Sequence, residues 1–340
     1  MIRRTTTAAL TVAAAALALS ACGQTTTAAE PEGSTKKKAS ADCAGVKTST
    51  GPVSLTDAYG NKVELDKPAS RVAVLEWQQT EDLLSHCVDP VAVADPKGYN
   101  TWDSAEELDE GVTDVGVRGE PNLETLFGTD PDLIVVEAYT ADDEILKQLA
   151  KYDVPVLAAK GADAKDPVGS MVDTFEMIAA ATGREKQAEA VVGEFEDKLA
   201  ASKKAVADAD AAGTEFVYFD GWIDGANVAI RPFGQGSLIG ELGEEIGLKN
   251  AWTGKVDPAY GLGQTDIEGM TTLGDATFFY TGTVDPAGDI NAELAKNKVW
   301  TSIPAVSEGR SHAFPSGIWT FGGPRSAGQV LDAYVSLLSK

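Results

Sequence analysis

Short apolar runs of strand length alternate with amphipathic stretches along the chain after its first fifty or so residues. Residues 53–65 predict a β-hairpin whose turn is the polar stretch at residues 59–61. Buried strands are predicted where further apolar runs follow, at residues 71–75, 91–94, 133–136 and 155–157. Strands that alternate with helices build parallel sheets, so residues 53–165 predict an α/β lobe.

A long helical stretch separates this lobe from a second one. Apolar residues recur at helical spacing from residue 167 to residue 209, and Gly183 interrupts them, so the stretch predicts either one helix or two. Further strand-length runs come next, at residues 216–219, 227–230, 277–280 and 310–314, and a closing helix is predicted at 326–338. The pattern therefore predicts two α/β lobes, with a connecting helix at 166–212 and a second lobe at 213–340.

The beginning of the chain has the composition of a targeting segment. Arg3 and Arg4 precede an apolar run at residues 8–19 that is too short to span a bilayer as a helix. The string Leu19-Ser20-Ala21-Cys22 follows and is similar to a lipobox, so residues 1–21 predict a signal peptide and Cys22 a lipid-modified residue. An ordinary secretory signal with a chance cysteine is the alternative. Residues 22–52, rich in Thr, Ala, Ser and Lys, predict a flexible tether.

The charge balance is strongly acidic, with a formal net charge of −24. A surface of this sign repels phosphate backbones, which argues against nucleic acid as a partner. The histidines are His86 and His312, far apart in sequence, so no resident metal site is expected. Cys43 and Cys87 are expected to form a disulfide in an oxidising compartment, and two unpaired thiols are the alternative.

One sequence motif of the first lobe lies between the predicted strands at residues 91–94 and 133–136. Residues 115–124 read Val-Gly-Val-Arg-Gly-Glu-Pro-Asn-Leu-Glu, in which Pro121 and Asn122 favour the start of a helix. The motif resembles the signature of the extracytoplasmic substrate-binding proteins that serve ABC importers of iron siderophores and vitamin B12, and within that family the ferric hydroxamate binders. The resemblance extends from Arg71 to the C-terminus. It implies an α/β, two-lobed, periplasmic-binding-protein-like fold whose lobes are joined by a long rigid helix.

The resemblance also implies which residues bind the ligand. Arg118 occupies the position of the family's ligand-binding arginine. Tyr139 follows the end of a predicted strand, where the ferric hydroxamate binders carry a tyrosine. Aromatic residues at matching positions and two further arginines complete the expected set: Trp77, Trp102, Arg231, Tyr260, Trp319, Phe321 and Arg325. Tyr260 replaces a tryptophan that is common in the family, and Leu262 replaces a polar residue. Without the resemblance, Trp77, Trp102 and Trp319 are each equally compatible with a core position. Arg231 and Arg325 are then also compatible with solvated positions in loops.

Two glutamates occupy matching places in the two halves of the chain. Glu124 and Glu268 each fall in the first turn of a predicted helix. A carboxylate there stabilises a helix through its dipole by roughly 0.3–1 kcal/mol, which is one explanation of both residues. In the resembled family the two positions meet arginines of the transporter subunits, one for each lobe, as charge-assisted pairs. The resemblance therefore implies that both glutamates dock the importer.

Together these expectations describe a transport component. We expect a monomeric, non-enzymatic protein, lipid-anchored through Cys22 on the extracytoplasmic face of the cell membrane. It would capture a ferric siderophore, a hydroxamate such as ferrioxamine, and deliver it to the permease subunits of an ABC importer. No cofactor or resident metal is expected, because the ligands of the iron belong to the siderophore. The alternative ligand is another large iron chelate, heme or a corrinoid, and the alternative class of protein is a secreted lipoprotein enzyme.

Overall fold

Two α/β lobes follow one another along the chain in the computed structural model. The structure describes residues 43–225, 227–283 and 289–338, so the expected signal peptide, the lipidation site Cys22 and most of the expected tether lie outside the described residues. Both lobes belong to one compact unit. Within the described ranges, no helix is long and apolar enough to cross a membrane.

The first lobe is built on a parallel sheet. Its strands, numbered β1 to β9 in chain order, are Val53–Thr56, Lys62–Leu65, Val72–Val74, Ala92–Val93, Thr113–Asp114, Gly116–Val117, Glu120–Pro121, Leu133–Glu137 and Val156–Ala159. Strands β1 and β2 form the predicted antiparallel hairpin. The main sheet has the order β5–β4–β3–β8–β9, with parallel neighbours. The inner strands β4, β3 and β8 are apolar runs because both faces of the sheet are buried there, whereas the edge strand β5 is polar.

The helices of the first lobe begin at side-chain caps. Helices α1 to α4 are Trp77–Ser85, Pro96–Trp102, Leu123–Gly128 and Glu144–Leu149. The residue before each helix accepts a hydrogen bond from a backbone N–H of the first turn, and these caps are Glu76, Asp95, Asn122 and Asp143. The predicted cap at Asn122 is thus present, and Pro121 lies in β7 just before it.

The helical stretch between the lobes consists of two helices, α5 (Pro167–Thr182) and α6 (Glu185–Asp208), and not of one long helix. Gly183 ends α5 because it adopts a left-handed conformation, with φ +66°. Its N–H and that of the next residue donate to the last carbonyls of α5, which closes the helix as a Schellman motif. Helix α5 contributes Ile178 to the core of the first lobe, and α6 contributes Phe195 to the core of the second.

The second lobe combines a hairpin with parallel strands. Strands β10 to β14 are Glu215–Asp224, Asn227–Phe233, Lys249–Asn250, Thr277–Gly282 and Ser311–Ser316. Helices α7 to α12 are Leu238–Glu245, Ile267–Met270, Ile290–Leu294, Lys298–Ser302, Pro304–Ser307 and Pro324–Leu338. The sheet order is β11–β10–β13–β14, with β12 beside β10. Among the described strands of this sheet, β10 and β11 are antiparallel and the other neighbours are parallel. Fully buried phenylalanines, including Phe216, Phe278 and Phe279, fill the space around this sheet.

A disulfide bond joins Cys43 to Cys87, with the two Cα atoms 5.5 Å apart. Downstream of Cys43 the chain lies against the junction of α5 and α6, where the Ser49 N–H donates to the Gly183 carbonyl oxygen at 2.8 Å. These contacts make residues 43–52 part of the folded domain. The tether was expected to extend to residue 52, and that boundary is too late in the chain.

A buried carboxyl group connects the two lobes. Helix α1 is buried along its whole length, although most of its residues are polar. Glu81, at its centre, accepts hydrogen bonds from Gly323 N at 3.0 Å, Ser326 N at 2.9 Å and Ser326 Oγ at 2.7 Å. These donors belong to the start of α12 in the second lobe, whose backbone N–H groups have no partner within their own helix. Glu81 therefore ties the first lobe to the N-terminus of α12.

Candidate ligand-binding cleft

The carboxyl ends of the parallel strands in both lobes open onto one cleft. Two adjoining cavities, of about 250 and about 440 Å³, share Arg118, Arg231, Trp319 and Phe321 in their walls. Residues of the first lobe and residues of the second line each cavity. Crevices of this size at the carboxyl ends of strands are the usual place for small ligands in α/β folds.

A tight turn presents Arg118 to the cleft. Strands β6 and β7 pair as a short antiparallel ladder, and Arg118 and Gly119 form the turn between them. Gly119 has φ +82°, a conformation that glycine adopts without strain. Arg118 Nη1 lies 2.5 Å from Glu76 Oε1. The glycines of the sequence motif thus place the guanidinium group at the start of α1, beside the end of β3.

Arg118 also lies against aromatic rings. Its Cζ atom is 3.8 Å from the ring centroid of Trp77 and 5.4 Å from that of Trp319. The two indole rings meet edge to face, with centroids 4.8 Å apart. Trp77 is only 4% exposed and packs with the core of the first lobe. Its ring is therefore a buried surface on which the Arg118 guanidinium packs. A guanidinium held over indole faces is stabilised by cation–π attraction.

Arg231 forms a second arginine–carboxylate pair on the opposite wall. Arg231 and Asp220 are direct cross-strand partners on β11 and β10. Arg231 Nε donates to Asp220 Oδ1 at 2.8 Å, and Nη2 donates to Oδ2, so the pair is bidentate. Burial raises the pKa of Asp220, and the hydrogen bonds and charge of Arg231 oppose that shift. The Arg231 Cζ atom lies 5.6 Å from the Phe321 ring.

Aromatic rings continue along the wall between the two arginines. Ring centroids are 5.4 Å apart for Trp319 and Phe321, 5.7 Å for Phe321 and Tyr260, and 6.2 Å for Tyr260 and Tyr139. Trp319 Nε1 has no hydrogen-bond partner among the described residues. Tyr139, at 75% exposure, stands at the open end of the cleft. Such a wall buries apolar ligand surface with little loss of side-chain entropy.

Glu137, the last residue of β8, forms a hydrogen bond across the cleft. The Tyr260 hydroxyl of the second lobe donates to Glu137 Oε1 at 2.5 Å. Burial raises the pKa of Glu137 to about 7, and the nearby Glu76 carboxylate adds to the shift, whereas the Tyr260 hydrogen bond and Arg118 lower it. The pair packs closely on Gly161, where a Cβ atom would lie 1.9 Å from the Tyr260 hydroxyl oxygen.

The structure brings most of the predicted binding residues together in this cleft: Trp77, Trp102, Arg118, Tyr139, Arg231, Tyr260, Trp319 and Phe321. Arg325 is the exception. Its Nη1 lies 2.5 Å from Glu194 on α6 and its Nε 3.8 Å from Glu106, in a separate surface depression. The expectation that Arg325 binds the ligand is therefore wrong, because the first turn of α12 directs this side chain away from the cleft.

Sequence reasoning missed the carboxylates that accompany the cleft arginines. Glu76, Glu137 and Asp220 all line the cavities. Each lies in or directly after a predicted strand, at its carboxyl end, and that position is a signal that could have identified them. The described residues contain no group of three or more His, Cys, Asp or Glu placed to hold a metal ion.

Glu124 and Glu268 occupy the same position in their helices, the second residue after the N-cap. The cap of α3 is Asn122, whose Oδ1 accepts from Thr125 N at 3.0 Å, and the cap of α8 is Asp266, whose Oδ1 accepts from Gly269 N at 3.0 Å. Both glutamates are exposed. Because the cap side chains already accept these hydrogen bonds, neither glutamate is needed as the cap.

The two lobes and the cleft between them define a ligand-binding protein. The profile of the periplasmic binding protein family matches residues 72–316, most of the chain, and the chain belongs to that family. The family expected from the motif at residues 115–124 is confirmed. Members of this family are transport components without catalytic activity, so the protein is a binding protein and not an enzyme.

Particular relatives include the iron(3+)-hydroxamate-binding protein FhuD of Escherichia coli, which is 29% identical over 76% of this chain and 83% of the relative. The probable siderophore-binding lipoprotein YfiY of Bacillus subtilis is 24% identical over 81% of this chain and 84% of the relative. Among solved structures, the Fe3+–Desferal-bound siderophore-binding protein FhuD of Vibrio cholerae superposes with a TM-score of 0.67. That match has 22% identity and covers 79% of this chain and 98% of the other, so it supports the fold.

Proposed function

We propose that this protein captures a ferric siderophore, specifically a ferric hydroxamate, and delivers it to an ABC importer. The observation that carries the proposal is the cleft itself, in which Arg118 and Arg231 stand in an aromatic wall with Trp319 between the lobes. The similarity to the iron(3+)-hydroxamate-binding protein of Escherichia coli supports the same ligand class.

The chemistry of such a ligand fits the cleft. A ferric trihydroxamate surrounds its iron completely and presents a mostly apolar shell with hydroxamate oxygens at its edge. Aromatic rings bury that shell, and guanidinium groups donate to the oxygens with bonds worth ~1.5–3 kcal/mol where water is excluded. Arg118 donates to Glu76 through Nη1, which leaves its Nε and Nη2 groups to face a ligand.

Substitution of Arg118 tests the ligand assignment. Arg118→Ala should weaken ferric hydroxamate binding by about tenfold or more, which corresponds to ~1.4 kcal/mol. The assay is quenching of intrinsic tryptophan fluorescence by the iron complex, since Trp77, Trp102 and Trp319 line the cavities. Arg325→Ala is the matched control, because it removes an arginine that lies outside the cleft.

The outcomes separate the candidate ligands. Unchanged affinity in a folded Arg118→Ala protein would show that the cleft assignment is wrong. Titrations with heme and with a corrinoid complete the comparison, and tighter binding of either one than of any ferric hydroxamate would replace the proposed ligand class.

The proposed location of the protein is the extracytoplasmic face of the cell membrane, where a lipid attached to Cys22 anchors it. The lipobox-like string at residues 19–22 supports it, as does the similarity to a lipoprotein of Bacillus subtilis. Cells that express Cys22→Ala should release the protein from the membrane fraction. Retention of that variant in washed membranes would contradict lipid anchoring at this residue.

Glu124 and Glu268 are proposed to dock the importer, one in each lobe. Their matched positions in α3 and α8, their exposure and the separate caps of both helices support this role. Glu124→Lys with Glu268→Lys should leave siderophore affinity unchanged and abolish uptake in cells, since lysines would repel the cationic partners expected on the transporter.

The docking test needs a variant with the same change of charge elsewhere. Glu189→Lys with Glu196→Lys provides it on the exposed face of α6. Uptake should persist in this control. Normal uptake by the Glu124/Glu268 variant, at normal abundance, would leave helix stabilisation as the explanation of both glutamates.

A further inference from the structure

The arginines of the cleft contribute hydrogen-bond donors but little net positive charge. Arg118 is paired with Glu76, and Arg231 is paired with Asp220 through two hydrogen bonds. A carboxylate at contact distance offsets the charge of a guanidinium group, and the remaining N–H groups can still donate to a ligand. An anionic ligand would therefore find donors in this cleft without an unpaired cation.

Further carboxylates line the same cavities, and two of them serve the local backbone. Asp257 accepts from three N–H groups of its own loop, those of residues 259, 260 and 262. Asp289 caps α9. Glu137 differs from both, because its carboxyl group faces the cleft and contacts the Tyr260 hydroxyl of the other lobe.

The cleft therefore has an excess of negative groups. Two guanidinium groups stand among five carboxylates in the described lining, and these are Glu76, Glu137, Asp220, Asp257 and Asp289. Glu137 is the member of this set that neither pairs with an arginine at contact distance nor holds the backbone. It is the carboxyl group that a charged ligand would meet.

We propose that Glu137 determines ligand specificity by binding a positively charged group at the edge of the ferric chelate, and that the cleft disfavours chelates with net negative charge. This inference rests on the proposed function. The Glu137 carboxylate attracts a positively charged chelate, and the surplus of carboxylates in the cleft repels a chelate with net negative charge. Neutral or cationic hydroxamate complexes fit this cleft better than anionic complexes of the same size.

The inference also predicts how pH acts. The titratable or charged groups around Glu137 are Tyr59, Glu76, Arg118, Tyr139, Arg231, Asp257 and Tyr260. Burial and Glu76 place the pKa of Glu137 at about 7, so its charge develops between pH 6 and 8. An aliphatic ammonium group on the ligand keeps its proton over that range, because its pKa is about 10. Preference for a cationic chelate should therefore increase as the pH rises through neutrality.

A ligand series with one iron-binding core tests the proposal. The probes are the ferric complexes of ferrioxamine B, which carries an ammonium group, of its N-acetyl derivative, which is neutral, and of its N-succinyl derivative, which is anionic. Fluorescence titration of the wild-type protein should show affinity falling in that order, by about fivefold at each step, as expected for one partly screened charge pair. The affinity for ferrioxamine B divided by the affinity for its N-acetyl derivative should be larger at pH 8 than at pH 6.

Two variants assign the effect. Glu137→Gln keeps an oxygen to accept the Tyr260 hydrogen bond and should bring the ratio between ferrioxamine B and its N-acetyl derivative close to one. Glu189→Gln changes the net charge of the protein by the same amount at an exposed site on α6, and should leave the ratio unchanged. This control separates the local effect of Glu137 from the acidic charge of the whole protein.

The outcomes distinguish this inference from the function on which it rests. Failure of all three complexes to bind would overturn the proposed function. Equal affinity for the three, tightest binding of the anionic complex, or an unchanged ratio in Glu137→Gln would overturn the role of Glu137 while ferric hydroxamate binding stands. In the wild-type protein alone, an affinity ratio between ferrioxamine B and its N-acetyl derivative that stays constant from pH 6 to pH 8 would also overturn the role of Glu137.

Discussion

Replacement of Glu81 by alanine should cost more stability than replacement of any exposed carboxylate. Glu81 is fully buried and accepts three hydrogen bonds from the start of α12, two from Ser326 and one from the Gly323 N–H. Alanine leaves all three donors without an acceptor inside the protein. It also removes the carboxyl group that lies at the N-terminal end of a helix that is 15 residues long.

The magnitude follows from those contacts. Each buried donor left unsatisfied costs ~1–3 kcal/mol, and loss of a helix cap costs ~1 kcal/mol. The donors share one site, and water can enter the space that the side chain vacates, so the costs do not add in full. We therefore expect Glu81→Ala to lower the free energy of unfolding by about 4 kcal/mol, a large part of the stability of an ordinary domain. Ser326→Ala removes one of the three hydrogen bonds and should cost about 1 kcal/mol.

Urea denaturation followed by circular dichroism measures both changes. The double variant adds a direct test of the contact, because Ser326→Ala should cost much less in the Glu81→Ala background than in the wild-type protein. A loss below about 1 kcal/mol for Glu81→Ala, or strictly additive losses in the double variant, would refute the reasoning that this carboxyl group holds α12.

Two further predictions concern stability. Cys43→Ser with Cys87→Ser should lower the free energy of unfolding by up to ~4 kcal/mol, because the disulfide closes a separation of 44 residues, and an unchanged urea midpoint would contradict this. Burial raises the pKa of Glu137 from 4.5 to about 7, so stability from this group is present below pH 4.5 and is lost as the pH rises through 7. Glu137→Gln should therefore gain on the order of 2 kcal/mol relative to the wild-type protein between pH 5 and pH 8, and parallel pH profiles of the two proteins would rule this out.

Local features of the sequence determined the elements and their boundaries. The apolar run at residues 133–136 became a strand buried on both faces, and Asn122 capped α3, because both signals act over a few neighbouring residues. The break at Gly183 belongs to the same class, since a left-handed residue ends a helix wherever it stands. The motif around Arg118 indicated the family, because its residues stand next to one another in the chain.

Only the tertiary structure decided which groups meet. Glu76 pairs with Arg118 although 42 residues separate them, and Glu81 caps a helix more than 240 residues away. Arg325 was assigned to the cleft from sequence, but the packing of α12 against α6 gives it Glu194 as a partner. A hydrogen-bonded cap or an apolar period is written into adjacent residues, whereas the charge and burial of a cleft depend on which distant elements pack together. That is why the sequence predicted the arginines of this site and the structure was needed to find the carboxylates beside them.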